Sequence, residues 1–172
     1  MIKLIRILAL LSLLAIHVSA SAQSLWSGTV HGMSPDQVKS IFTNAQTPDK
    51  PNILSSGAQE LLRVENVEIT NKKFTASFYF IAEKLIQVTL SLEKGHTFHS
   101  ATLVFDSLTE ALRAKYGQEI SRDISRGALN KATATWMAGR TNINVITMSV
   151  GQSNALLNIN YQVRVARDAD KL

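Results

Sequence analysis

Residues 74–92, FTASFYFIAEKLIQVTLSL, decide the fold of this chain. Apolar side chains occupy every second position on both sides of the polar break at residues 82–84. A period of two places alternate side chains on one face of a β-sheet. Two such runs joined by a short polar break predict a β-hairpin with one buried face. The apolar positions are Phe74, Ala76, Phe78 and Phe80, followed by Ile86, Val88, Leu90 and Leu92.

One helix is predicted before this hairpin in the sequence and another after it. Ser34 begins the first, because Pro35 fits the first helical position and Gln37 completes a capping box with Ser34. The second runs from about residue 97 to 116, where apolar residues recur every three or four positions. Gly117 then provides a helix end, since glycine adopts the left-handed conformation without strain.

The remaining strands complete an α+β prediction, an antiparallel β-sheet with two helices packed on one face. The expected order is β-α-βββ-α-βββ, with a first strand at residues 25–30 and an αβββ pseudo-repeat. An extra edge strand is expected near Ile120. A change of alternation phase between Val64 and Val67 predicts a bulge at Glu65 and Asn66.

The chain start has the pattern of a secretory signal. Lys3 and Arg6 precede an apolar run at residues 7–18, and the small residues Ala20 and Ala22 follow it. We therefore expect residues 1–22 to be removed and residues 23–172 to form a single domain in the periplasm or outside the cell. Within that domain, residues 45–59 are expected to form a loop and the tail from about residue 167 to fray.

Composition excludes several classes of protein. The chain has no cysteine, so neither a disulfide nor a lipid anchor on cysteine is available. Loss of Lys3 and Arg6 would lower the formal net charge from +5 to +3. The basic residues form no patch with interleaved aromatic residues, so no nucleic-acid partner is expected. No later segment has the length of a membrane span, and none is expected after signal cleavage.

The helix start at residues 32–38, GMSPDQV, resembles the Gly-Met-Thr/Ser-x-x-Gln-Val helix start of the small outer-membrane assembly lipoproteins (SmpA/OmlA-like). The resemblance implies the α+β fold that those domains share with the β-lactamase-inhibitor protein, with helices on one face of an antiparallel sheet. It also implies a role in assembly of the cell envelope. The chain departs from that family in lacking the lipid-anchoring cysteine and the Gly-x-Pro that ends the helix.

Histidines offer the few candidates for catalysis or metal binding. His96 and His99 have the spacing of two metal ligands on one helix, but the sequence offers no third ligand nearby. His31 follows a predicted strand, where catalytic residues can occur. No nucleophile motif or glycine-rich phosphate loop is present. We therefore predict no catalytic, metal-binding or cofactor-binding residue, and no cofactor.

Binding residues are expected on two surfaces. Tyr79, Gln87, Thr89 and Thr135 are out of phase with the apolar positions, so they should form an exposed polar sheet face. Ile53 and Leu54 are the apolar residues of the 45–59 loop; they either pin the loop to the core or bind a partner. The leading hypothesis is a non-enzymatic binding or accessory module of the cell envelope that contacts a partner protein. A carrier of a small apolar ligand and a hydrolase using histidine remain the alternatives.

Overall fold

A computed structural model describes residues 23–127, 129–151 and 153–164. The predicted signal and the charged tail lie outside the described residues. Within them, one antiparallel seven-stranded sheet and two helices confirm the α+β class. The elements are α1 (Pro35–Ile41), β1 (Gln59–Ile69), β2 (Lys72–Ile81), β3 (Lys84–Leu92), α2 (Phe98–Tyr116), β4 (Ser121–Ser125), β5 (Lys131–Ala138), β6 (Thr141–Val150) and β7 (Asn154–Val163).

The order of elements differs from the prediction at both ends. Residues 25–30 do not form a strand; they make a tight turn in which the N–H of Leu25 donates to the carbonyl of Thr29, flanked by a single bridge between Ser24 and Val30. The expected edge strand after Ile120 is present as β4. The second helix is therefore followed by four strands, so the predicted pseudo-repeat of helix and three strands does not match the structure.

The sheet joins two meanders in the order β1-β2-β3-β7-β6-β5-β4. The last strands of the two meanders, β3 and β7, pair at the centre, with Val88 opposite Tyr161. The predicted hairpin is therefore one half of a continuous sheet. One row of paired side chains crosses five strands on a single face, Phe78, Val88, Tyr161, Ile143 and Trp136.

Two bulges interrupt β1. The predicted one lies between Val64 and Val67, where Asn66 has a positive φ of 58°. A second, unpredicted bulge lies between Glu60 and Leu62. Each inserts one residue without a partner, so the side-chain alternation of β1 changes phase at both sites.

Helix α1 has the predicted start and packs on the apolar face of the sheet. Ser34 accepts a hydrogen bond from the N–H of Gln37, whose side chain accepts one from the N–H of Ser34. Val38 is fully buried in the core. At the helix end, the ring of Phe42 lies 5.3 Å from that of Phe78, between centroids.

Helix α2 covers the same apolar face over β5, β6 and β7. Its end is fixed by Trp136, whose Nε1 donates to the carbonyl of Gly117 at 3.0 Å. Toward β4, the guanidinium of Arg122 lies over the ring of Phe105 and binds Asp106 at 2.9 Å. Both helices therefore lie on one face, as predicted. Neither described helix is both long enough and apolar enough to cross a membrane.

A charged link joins the end of α2 to the start of β4. Arg113 binds Glu110, three residues earlier in the helix, at 2.7 Å and, through Nε, Glu119 at 2.7 Å. The hydrogen bonds from Arg113 lower the pKa of Glu119 to about 2. This link holds the chain as it leaves the helix for the edge of the sheet.

Candidate functional site

The predicted polar residues share the sheet face opposite the helices. Tyr79 pairs with Gln87 across β2 and β3, Thr89 pairs with Asn160, and Thr135 pairs with Asn144. Each of these positions alternates with a core residue on its own strand. The predicted phase of Tyr79, Gln87, Thr89 and Thr135 is therefore confirmed.

The expected exposure of these side chains is wrong for three of them. Tyr79 is only 5 % exposed, Gln87 8 % and Thr89 6 %, whereas Thr135 is half-buried. The physical reason is a layer of polar contacts: Tyr79 lies close to Asn52 of the loop and to Ser77, which both donate to the buried Glu60. Gln87 Nε2 donates to Thr89 Oγ1 at 2.9 Å. The β2–β3 end of this face is therefore closed.

The accessible part of the polar face includes β6 and β7. It carries five amide side chains, of which Gln162 is exposed and the others are half-buried. We call this set the amide face: Asn142, Asn144, Asn158, Asn160 and Gln162. Two cross-strand pairs, Asn142 with Gln162 and Asn144 with Asn160, place four of the amides opposite one another.

Most of the hydrogen-bonding capacity of the amide face is unused. Asn160 Oδ1 accepts from Thr89 Oγ1 at 2.9 Å, and Asn144 Nδ2 donates to Thr135 Oγ1 at 3.0 Å. The other three side chains make no hydrogen bond to any residue that the structure describes. Since each amide has two donors and an acceptor, this surface can both donate to and accept from a ligand.

A buried carboxylate, Glu60, lies on β1, at the end of the polar face away from the amide face. Its side chain is fully buried and accepts five hydrogen bonds. Arg63 donates from Nε at 2.7 Å and from Nη2 at 2.8 Å, and Ser77 Oγ donates at 2.7 Å. Asn52 donates its backbone N–H at 3.0 Å and its Nδ2 at 2.7 Å. This cluster links the loop to β1 and β2.

The cluster determines the ionisation of its members. Burial alone would raise the pKa of Glu60, but the donors from Arg63, Ser77 and Asn52 outweigh burial and lower that pKa below its ordinary value. Burial raises the pKa of Tyr79, and the negative charge of Glu60 raises it further by a smaller amount. At neutral pH the cluster therefore contains a carboxylate, a guanidinium and a neutral phenol.

Sequence reasoning missed this cluster because a bulge creates it. Residues three apart on a regular strand point to opposite faces. The inserted residue between Glu60 and Leu62 brings Glu60 and Arg63 to the same face, opposite Tyr79 and Ser77. The one usable signal was a charged pair at this spacing on either side of Leu61 and Leu62.

The loop at residues 45–59 is attached by polar groups and by the fully buried Ala58, whereas Ile53 does not attach it. Ile53 is 65 % exposed and Leu54 half-buried, so Ile53 does not pin the loop to the core. Instead, the backbone groups of Gln46 and Arg63 exchange two hydrogen bonds of 2.9 and 2.8 Å. The N–H of Glu60 donates to the carbonyl of Asn52 at 2.9 Å. These bonds extend the sheet beyond β1 and fix the loop against it.

A polar cleft of about 550 Å³ lies between this loop and β1. Three residues of β1, Arg63, Glu65 and Asn66, form one wall. Segment 44–50 forms the other and contributes Asp49 and Lys50. We call this space the edge cleft. Its volume lies within the range of small-ligand sites, roughly 300–1,000 Å³.

The histidines do not come together in one site. His31 is exposed, and its backbone N–H donates to the carbonyl of Gln23. His96 lines a cleft of about 230 Å³ and lies with Nδ1 3.4 Å from Ser100 Oγ, whereas His99 is exposed and does not line that cleft. Among the described residues, no group of three or more His, Asp or Glu side chains is placed to hold a metal ion.

Comparison with known proteins adds no further constraint, because no protein-family model, no curated protein and no solved structure matches this chain.

Proposed function

We propose that the protein is an exported, non-enzymatic binding module of the cell envelope, and that it contacts a partner protein through the amide face. The observation that carries this proposal is the set of five accessible amide side chains on β6 and β7, three of which have no hydrogen-bond partner among the described residues. The signal-like residues 1–22 and the resemblance of residues 32–38 to an envelope-assembly family support the location.

The chemistry of the amide face suits a protein surface. Its members are uncharged, so binding costs no desolvation of an ion. Neighbouring strands lie about 4.8 Å apart, and amides on them can therefore reach several peptide groups of one partner at once. The fixed network from Gln87 through Thr89 to Asn160 orients one end of the surface before a partner arrives.

The two alternatives have less support. An apolar-ligand carrier needs an apolar cavity, but the edge cleft is lined mainly by polar and charged residues. The cleft at His96 has about 230 Å³, which is below the usual size of a ligand site, about 300 Å³ or more. A hydrolase using histidine needs a base within reach of a nucleophile, and the exposed His31 and His99 have no such partner in the described chain. His96 lies 3.4 Å from Ser100 Oγ, but that hydroxyl donates to the carbonyl of Thr97 at 3.0 Å.

Site-specific photocrosslinking in cells tests the proposal. A photoreactive phenylalanine at Gln162, on the amide face, should give a discrete crosslinked protein species. The same group at Ala114, exposed on α2, should not. Equal crosslinking from both positions, or none from Gln162, would contradict a specific contact on this face.

A matched pair of substitutions tests the chemistry. Asn158→Asp introduces a charge on the amide face at a side chain with no hydrogen bond to lose, so it should reduce the crosslink from Gln162 without lowering stability. Asn154→Asp makes the same change at the exposed start of β7 and serves as the control. Sequencing of the mature N-terminus tests export, with Gln23 as the expected first residue.

A further inference from the structure

The edge cleft is held open by bonds that do not depend on a ligand. Gln46 and Arg63 exchange two backbone hydrogen bonds, which fix segment 44–50 beside β1. The bulge at Glu65 and Asn66 is the second fixed feature, with Asn66 at a φ of 58°. A preformed site loses little conformational freedom on binding.

Arg63 lines this cleft, and Glu60 occupies only part of its guanidinium. A guanidinium has five N–H donors arranged in a fixed plane. Glu60 accepts from Nε and from one N–H of Nη2. No described residue accepts from the remaining N–H groups, on Nη1 and Nη2, and the side chain is 26 % exposed. Those two nitrogens form a fork that matches the two oxygens of a carboxylate.

The charges of the cleft are of both signs. Arg63 and Lys50 are cationic, and Asp49 and Glu65 are anionic. Glu65 lies close enough to Arg63 to raise the pKa of the guanidinium, after the larger effect of Glu60 and against the burial of the side chain. A simple anion would meet repulsion from the two carboxylates. A ligand with charges of both signs would match the whole lining.

We propose that the edge cleft binds a small zwitterion through its carboxylate and its ammonium group. The carboxylate accepts from the free fork of Arg63, and the ammonium group lies against Asp49 and Glu65. A free amino acid and a short peptide with open ends share this chemistry, and the volume of about 550 Å³ leaves room for the peptide. This site is separate from the amide face and does not depend on the function proposed for that face.

Titration calorimetry with four probes tests the proposal: alanine, trialanine, N-acetyl-trialanine and trialanine amide. Trialanine should bind saturably, and each blocked form should bind about tenfold or more weakly, because each lacks one charge-assisted hydrogen bond. Alanine binding as tightly as trialanine would assign the site to free amino acids. Equal binding of blocked and open peptides, or no saturable binding of either open probe, would overturn the proposal.

Substitutions separate the two ends of the ligand. Glu65→Gln should weaken trialanine binding several-fold and leave N-acetyl-trialanine binding unchanged. Glu68→Gln, an exposed position on the same strand outside the cleft, is the matched control and should change neither. Arg63→Lys should weaken N-acetyl-trialanine binding, and its thermal unfolding shows whether the variant is folded. If Glu65→Gln and Glu68→Gln have the same effect, the assignment of the ammonium group is wrong.

Discussion

Replacing Glu60 by glutamine should lower the free energy of unfolding by about 3 kcal/mol, roughly a hundredfold in the unfolding equilibrium. Glutamine keeps the size of the side chain but turns one acceptor oxygen into a donor. At Oε2 that donor would face Arg63 Nη2 and both donors of Asn52. At Oε1 it would face Arg63 Nε and the hydroxyl of Ser77, which can turn to accept.

Of the two orientations of the glutamine amide, the better one therefore places the new NH₂ group at the position of Oε1. It still loses the bond from Arg63 Nε and leaves the guanidinium without its counter-charge. A hydrogen bond to a charged group is worth about 1.5–3 kcal/mol, and breaking one side of a buried pair costs about 3–5 kcal/mol. The value of about 3 kcal/mol lies where these two ranges meet.

Urea unfolding of Glu60→Gln and the wild type, compared at several pH values, measures this loss. The folded-state pKa of Glu60 is lowered from 4.5, so its stabilisation is complete above that pH and is lost as pH falls through the folded value. The difference between the two proteins should therefore narrow below pH 4.5. Protonation of Glu119 at acid pH affects both proteins equally, so it does not contribute to the difference between their free energies of unfolding.

Glu65→Gln is the control, because an exposed glutamate on the same strand should change stability by less than about 0.5 kcal/mol. A loss at Glu60 no larger than that of the control at neutral pH would refute the reasoning. So would a loss of the expected size that does not change with pH, because it would not depend on the charge of the carboxylate.

Substitutions at two further residues test the layers on either side of the sheet. Tyr79→Phe should cost about 1 kcal/mol in urea unfolding, through lost polar contacts of the hydroxyl with Asn52 and Ser77, and Tyr79→Ala about 3–5 kcal/mol. An alanine variant with an unchanged midpoint would show that Tyr79 is accessible after all. Ser34→Ala should cost about 1 kcal/mol, because it removes the cap of α1. Ser40→Ala, exposed in the same helix, is its control, and equal midpoints for the two variants would contradict the capping role.

The parts of the fold that local chemistry determines could be predicted from the sequence. The hairpin at residues 74–92, both helix starts and the bulge at Asn66 each rest on a pattern within a few residues. The turn at residues 25–30 could not, because Ser27 and Gly28 take positive φ angles that fold the segment back on itself, and its composition does not specify this. The pairing of β3 with β7 joins residues about 70 positions apart, and no local pattern specifies it.

The candidate sites also have features that local sequence patterns determine and features that depend on distant residues. The phase of the polar face was predictable, since side-chain direction alternates along each strand. Its accessibility was not, because burial of Tyr79 depends on Asn52, which arrives from a distant loop. The edge cleft depends on a bulge that moves Glu60 and Arg63 to the same face.

The two bulges of β1 affect the apolar pattern of the sequence differently. This difference explains why the bulge at Asn66 could be predicted from the sequence and the Glu60–Arg63 cluster could not. At Asn66 the inserted residue changes the phase in which apolar residues alternate, so the bulge can be recognised from the sequence. At Leu61 the inserted residue is itself apolar and half-buried, so the run appears continuous. The same insertion places Arg63 where Glu60 holds one edge of its guanidinium, and Arg63 also lines the cleft. A carboxylate that is buried for structural reasons thereby orients a cation for binding, and the proposed zwitterion site depends on the stability of the cluster that holds it.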